Sequence, residues 1–326
     1  MNLEHFPAAR FIKEIGRGVK GARAMSRDDA HELYAAMLDG RVSDLEMGAI
    51  VMAMRIKGES PDELEGFLSA AEASFPLLPA PRGDLAPVLV PSYNGSRKLP
   101  NLTPLLAALL ARRGAPVLVH GVTADPGRVT TFEIMAAMGL DASDDAASVL
   151  EAWAEGRPAF MRIDVLAPKL ARLLALRSVL GVRNSTHTLV KILQPFDGPA
   201  LRLVSYTHPE YLETLGEFFV RPYAAARGDA FLMRGTEGET VANPNRGQQI
   251  DWFRQGARTV LVERDPPTDE VARLPEGRDA ASTAAWIARV LDGAEPVPSP
   301  IAQQVEQIVM AAQALGTVPG GPSPDL

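Results

Sequence analysis

Residues 87–121, PVLVPSYNGSRKLPNLTPLLAALLARRGAPVLVHG, hold the alternation that decides the fold. The runs PVLVP and APVLVHG are apolar, short and bounded by turn formers, so they read as buried strands. Between them lies a helix, Pro104–Arg113, opened by Thr103-Pro104. A strand, a helix of about ten residues and a second strand predict a parallel crossover.

The same alternation continues toward the C-terminus. PAFMRI (158–163), ALRLVSY (200–206), AFLMRG (230–235) and RTVLVE (258–263) read as further strands. Helices are predicted over 131–138, 146–155, 168–180, 209–219, 280–291 and 301–315, with a polar helix after Gly181. The fold class expected is α/β, with a mainly parallel central sheet over 88–326. Toward the N-terminus the period changes. Residues 8–25 suit a helix interrupted at Gly16, Gly18 and Gly21. Ser26 caps a second helix, Ser43 with Glu46 a third as a capping box, and Ser60-Pro61 opens a fourth. Residues 1–75 therefore form a small helical domain, expected to be joined by part of 165–190. The Pro-rich stretch 76–87 is a linker.

Composition excludes several classes. The chain has 326 residues, no cysteine and a net charge of −7. Disulfides, thiol catalysis and cysteine metal sites are excluded, and a cytoplasmic address is expected. No apolar run is long enough to span a membrane, and the acids in MNLEHFPAARFIKEIGRG argue against a secretory signal. The charge is uneven. Residues 1–27 carry six Lys/Arg and two acids, whereas residues 260–326 carry ten acids and four Arg. A basic patch binds phosphate whatever the global sign, since exposed charges are screened beyond about 8 Å.

Ligands of parallel sheets gather at the carboxyl ends of strands, which points to the loops 91–103, 119–130, 162–168, 205–209 and 234–246, and four stretches carry candidate chemistry. In 91–104, Ser92, Asn94, Gly95 and Ser96 can present donors to an oxyanion, Arg97 and Lys98 add charge, and a helix N-terminus follows. In 119–130, His120-Gly121 ends a strand; the histidine is either an acid-base group or a hydrogen-bonded structural residue. In 177–191, Arg177, Arg183 and Lys191 surround the polar run Asn184 to His187, suited to an anion or to a plain solvated face. In 233–249, Glu237 and Glu239 flank a glycine, which fits either a Mg²⁺ site or a tight turn.

At these loops the sequence resembles anthranilate phosphoribosyltransferase, glycosyltransferase family 3, over nearly its whole length. The resemblance implies a homodimer joined through the helical parts. It departs at the chemistry. The family's GTGGD diphosphate loop aligns with Ser92 to Ser96, its KHGN motif reads VHGV at 119–122, and its metal-binding Asp-Glu pair reads EGE at 237–239. Arg177 falls where the enzymes keep an anthranilate-contacting arginine. KEIGRG (13–18), MAMRIKGE (52–59), PSYNGSRK (91–98), NLTPLLA (101–107), VHGV (119–122), GVRNSTHTL (181–189) and GTEGE (235–239) are similar to the YbiB-type branch. That branch implies a dimeric, largely sequence-independent binder of DNA or RNA without demonstrated tryptophan-pathway chemistry.

Two functions follow as expectations. In the first the protein binds DNA, and possibly RNA, without sequence preference and needs no cofactor. Lys13, Arg17, Lys20, Arg23 and Arg27 would share one helix face, joined by Arg55, Lys57, Arg97 and Lys98. Ser92, Asn94, Gly95, Ser96, His120, Gly121, Arg177 and Arg183 would then be a vestigial substrate pocket. In the alternative the protein is a Mg²⁺-dependent phosphoribosyltransferase for an aromatic acceptor, using that pocket with Glu237 and Glu239.

Overall fold

The computed structural model describes residues 4–18, 20–263 and 272–316. The N-terminal part is helical: α1 (Ala9–Ile15), α2 (Arg27–Leu38), α3 (Asp44–Lys57) and α4 (Pro61–Glu72). Local chemistry sets their ends. Ser26 accepts the Asp29 N–H, and Ser43/Glu46 and Ser60/Glu63 form complete capping boxes. Each such cap stabilises its helix by about 1 kcal/mol. The expected single face of N-terminal cations does not form. Helix α1 stops at Ile15, Gly18 turns left-handed at φ +80°, and the chain folds back so that the Arg23 N–H reaches the Glu14 carbonyl. Three glycines in six residues give the backbone too little helical preference to continue.

The larger part is a seven-stranded sheet of order β3-β2-β1-β4-β5-β6-β7. Its strands are β1 (Val88–Ser92), β2 (Val117–Gly121), β3 (Ala159–Arg162), β4 (Leu201–Tyr206), β5 (Ala230–Arg234), β6 (Ile250–Arg254) and β7 (Ala257–Val262). The first five pair in parallel, while β6 and β7 close the edge antiparallel. Strand β6, IDWFR, was not apparent in the sequence because polar residues interrupt it; Asp251 and Arg254 are engaged by the edge hairpin and its neighbours. One face of the sheet is covered by α5 (Thr103–Arg112), α6 (Thr131–Ala137) and two C-terminal helices, with Trp286, Ile287, Ile301 and Ile308 in the core. The other face packs against α7 (Ala146–Ala154), α8 (Ile163–Leu166), α9 (Pro168–Leu180), α10 (Thr186–Ile192), α11 (Glu210–Phe219) and the helical bundle.

Helices α9 and α10 tie the two parts together. Lys169 pairs with Asp39 at 2.7 Å, Arg172 donates to the Leu38 carbonyl, and the buried Tyr34 hydroxyl meets Thr186 at 2.8 Å. The Pro-rich stretch is pinned as well: the Leu78 N–H donates to Pro195 and the Ala86 N–H to Ala312. Connectivity reverses between β1 and β4, so the crevice at their carboxyl ends is the topological switch point, where such sheets bind ligands.

Candidate anion site at the sheet's carboxyl edge

The loop after β1 turns at Asn94-Gly95. Gly95 is left-handed, φ +62°, and a Cβ there would stand 2.7 Å from the Val129 carbonyl oxygen. This turn aims consecutive main-chain N–H groups at one point, the geometry of an anion nest. The anion is internal. Glu239 Oε1 accepts the N–H of Asn94 at 3.0 Å and of Gly95 at 2.7 Å. A second carboxylate repeats the arrangement: Glu237 accepts the N–H groups of Arg97, Lys98 and Leu99 at 2.8–3.0 Å. Burial pushes the Glu237 carboxyl up, but the three N–H bonds outweigh it and hold the group below the usual range. Both acids come from one turn after β5, closed by the Thr236 and Glu239 main-chain pair and clamped by the Asn94 amide on the Gly238 carbonyl at 2.8 Å. Sequence suggested carboxylates for a metal or a tight turn; the structure folds them onto the β1 loop.

Ser92 and Ser96 are held in the same loop by bonds of their own. The Ser92 hydroxyl donates to Thr131, and Ser96 forms a main-chain bridge with Val129. Tyr93 turns its ring inward, and its hydroxyl meets His120 Nδ1 at 2.7 Å. Burial drives the His120 pKa down to about 3, so the ring is neutral near pH 7, with a single N–H and no imidazolium to act as a general acid. Its Nε2 is buried without a hydrogen-bond partner among the described residues. Gly121 is required because a Cβ would fall 1.9 Å from the Ser92 carbonyl oxygen.

Beyond Tyr93 opens a cleft of about 640 Å³, lined by Val122, Asp125, Ile163, Leu174 and Arg177 among others. Asp125, which sequence reasoning did not single out, is buried there between Arg177 at 3.4 Å and Arg128 at 3.8 Å. Arg177 is thus already ion-paired. Arg183 faces a separate, smaller cleft of about 180 Å³ with Arg55, His187, Lys191, Tyr206 and Tyr211. The structure therefore divides the residues of the expected single pocket between a filled loop and two clefts.

The nine expected polyanion contacts separate in the same way. Lys57 is sunk beside Glu63, its Nζ 2.6 Å from Oε2, with the Gly58 carbonyl as second acceptor. Arg17 pairs with Glu14, and Arg27 with Asp28 and Glu65. The remaining six, Lys13, Lys20, Arg23, Arg55, Arg97 and Lys98, are exposed.

A helical bundle over α1–α4 beside a switch-point, mainly parallel sheet defines a phosphoribosyltransferase-like class of fold. The helical bundle domain of a glycosyl transferase family matches residues 9–74. The uncharacterized protein YbiB of Escherichia coli K12 is 44% identical over 96% of this chain and 96% of its own length. Anthranilate phosphoribosyltransferase of Rhodopseudomonas palustris BisA53 is 27% identical over 89% of this chain and 84% of its own. Among solved structures, the Thermus thermophilus anthranilate phosphoribosyltransferase superposes with a TM-score of 0.70 at 22% identity, covering 93% of this chain and 89% of that one. The Saccharomyces cerevisiae enzyme, solved in complex with PRPP and Mg, gives 0.61 at 13% identity over 94% of each chain. The chain belongs to the anthranilate phosphoribosyltransferase-like family, glycosyltransferase family 3. No helix among the described residues is long and apolar enough to cross a membrane.

Proposed function

We propose that this protein binds nucleic acid without sequence preference, on a phosphoribosyltransferase-like fold whose diphosphate loop is filled by its own side chains. The observation that carries the reading is the Glu239 carboxylate on the Asn94 and Gly95 N–H groups. A diphosphate in that loop would have to displace a buried carboxylate whose Oε1 accepts both of those N–H groups. Magnesium would find a single unpartnered carboxylate oxygen, Glu239 Oε2, because the other three oxygens of Glu237 and Glu239 already accept five main-chain N–H groups. The alternative, Mg²⁺-dependent phosphoribosyl transfer as in the relatives, therefore needs the 235–239 turn to be rebuilt.

The polyanion contact is assigned to Lys13, Lys20, Arg23, Arg55, Arg97 and Lys98. These side chains are exposed and carry no ion pair among the described residues, so they are available to phosphates at little desolvation cost. A second copy of the chain is the proposed partner of α3, whose Leu45, Met52 and Ile56 are 84, 38 and 62% exposed at spacings that share one helix stripe. Dimerisation there brings two N-terminal cation sets to one assembly. DNA and RNA are both substrates of such a surface, and a cytoplasmic address is part of the proposal.

The test is a salt-titrated anisotropy assay on single- and double-stranded DNA and RNA of unrelated sequence. Wild-type affinity is expected to fall steeply with salt and to vary little between sequences. The triple variant Lys13→Glu, Lys20→Glu, Arg23→Glu should bind all of them more weakly, and its salt slope should be shallower by about one for each phosphate it no longer neutralises. Unchanged binding in that variant removes this surface from the account. Phosphoribosyl diphosphate with Mg²⁺ turning over an aromatic acceptor would instead select the enzyme.

A further inference from the structure

The smaller cleft, about 180 Å³ at the carboxyl end of β4, lies beside the switch point and has an unusual charge balance. Arg55 reaches it from α3, Arg183 from the turn before α10, and Lys191 from α10 itself; no carboxylate lines it. Lys191 is partly buried, yet its Nζ has only long contacts, 3.3 Å to the Gly238 carbonyl and 3.5 Å to the Ser205 hydroxyl. Neither Arg55 nor Arg183 forms an ion pair among the described residues. Burial, then the fields of Arg177, Arg128 and Arg55, depress the Arg183 guanidinium.

The carboxylates nearby are engaged elsewhere, except for one oxygen of Glu239. Glu239 gives Oε1 to the β1 loop, while its Oε2 has no hydrogen-bond partner among the described residues and its charge acts on Lys191; Asp125 is shared by Arg177 and Arg128, and the half-buried Glu59 hydrogen-bonds Ser185. Three cations share one partly desolvated cleft, none of them in an ion pair among the described residues and only Lys191 under the field of Glu239; their mutual repulsion is relieved by binding an anion. The size of the cleft decides which anion. It is below the several hundred cubic ångströms of a whole nucleotide site and suits a single compact group. The charge count favours a doubly negative group with three acceptor oxygens, which two guanidinium forks and one ammonium can saturate.

We propose that this cleft binds a phosphate monoester, a terminal phosphate carried by a small molecule or by the end of a polynucleotide, clamped by Arg55, Arg183 and Lys191. It is separate from the filled β1 loop, and it shares only Arg55 with the polyanion surface proposed above. A phosphodiester inside a chain is the wrong ligand, since it offers one negative charge and two free oxygens.

Calorimetry with the full chain tests it. Ribose 5-phosphate and adenosine 5′-phosphate should bind saturably, ribose and adenosine should not, and Arg183→Gln or Lys191→Met should weaken the phosphates at least tenfold. The Lys13/Lys20/Arg23 charge-reversal variant should leave them unchanged. A parallel arm compares 5′-phosphorylated with 5′-hydroxyl oligonucleotides. A preference for the phosphorylated end that vanishes in Arg183→Gln assigns the ligand to a chain end. Equal oligonucleotide binding with retained ribose 5-phosphate affinity assigns it to a small molecule. Arg183 is partly exposed, so its variant stays informative if Lys191→Met does not fold. Absence of saturable binding at millimolar phosphate ester, or binding equal in wild type and Arg183→Gln, overturns the proposal.

Discussion

The Glu239 carboxylate lies 2.7 Å from the main-chain nitrogen of Gly95 and is fully buried there. It acts as a built-in substitute for an external anion, and the loop depends on it. Glu239→Ala leaves the Asn94 and Gly95 N–H groups without acceptors, a loss of about 3 kcal/mol. Glu239→Gln keeps an acceptor oxygen and should cost less. Urea unfolding of both variants measures the difference; equal losses would show that the loop does not need the acceptor.

Lys57 and Lys98 look alike in sequence and should behave oppositely. Removing Lys57 strands Glu63, which is 0% exposed, so Lys57→Met should cost about 3 kcal/mol while leaving DNA affinity intact. The Ser60 and Met25 N–H groups that also donate to Glu63 keep the cost at the low end. Lys98→Glu sits on the surface and should change stability by less than about 0.5 kcal/mol while weakening DNA binding. Thermal melts paired with anisotropy separate the two.

His120 makes the fold sensitive to acid. Its pKa is 6.5 in the open chain and about 3 in the fold, because burial disfavours the charged ring. The unfolded chain therefore binds more protons between these values, and stability falls as pH drops from 6.5 toward 3. From 6.5 to 5 this amounts to about 2 kcal/mol. His187, lowered to about 4 mainly by burial and then by Arg183 and Arg177, acts in the same direction. In His120→Phe the stability gap between pH 7 and pH 5 should shrink by about 2 kcal/mol, leaving the His187 part and the opposing part from Asp229, whose carboxyl burial raises to about 6. An unchanged gap would mean that His120 titrates normally.

Gly121→Ala places a methyl group against the Ser92 carbonyl oxygen, where main chain cannot yield without parting β1 from β2. We expect a loss of about 3 kcal/mol. The backbone amide of Val122, which donates to that same carbonyl at 3.2 Å, should exchange faster in the variant.

The sequence by itself determined the elements and their order. Short apolar runs such as VLV at 88–90 and 117–119, and caps such as Ser43 with Glu46, are local signals: burial, period and end chemistry act within a few residues. Strand β6 escaped because its Asp251 and Arg254 are satisfied by partners outside the strand, Arg254 by one far along the chain. Only the tertiary structure decided which charges are free. Glu239 meets Gly95 across 144 residues, and Arg177 meets Asp125 across 52. Lys57, like the exposed Arg55 two residues away, is simply a cation on α3 until the fold brings Glu63 against it. A side chain's charge is written in its residue type, but whether that charge is neutralised depends on long-range packing, which carries no local pattern.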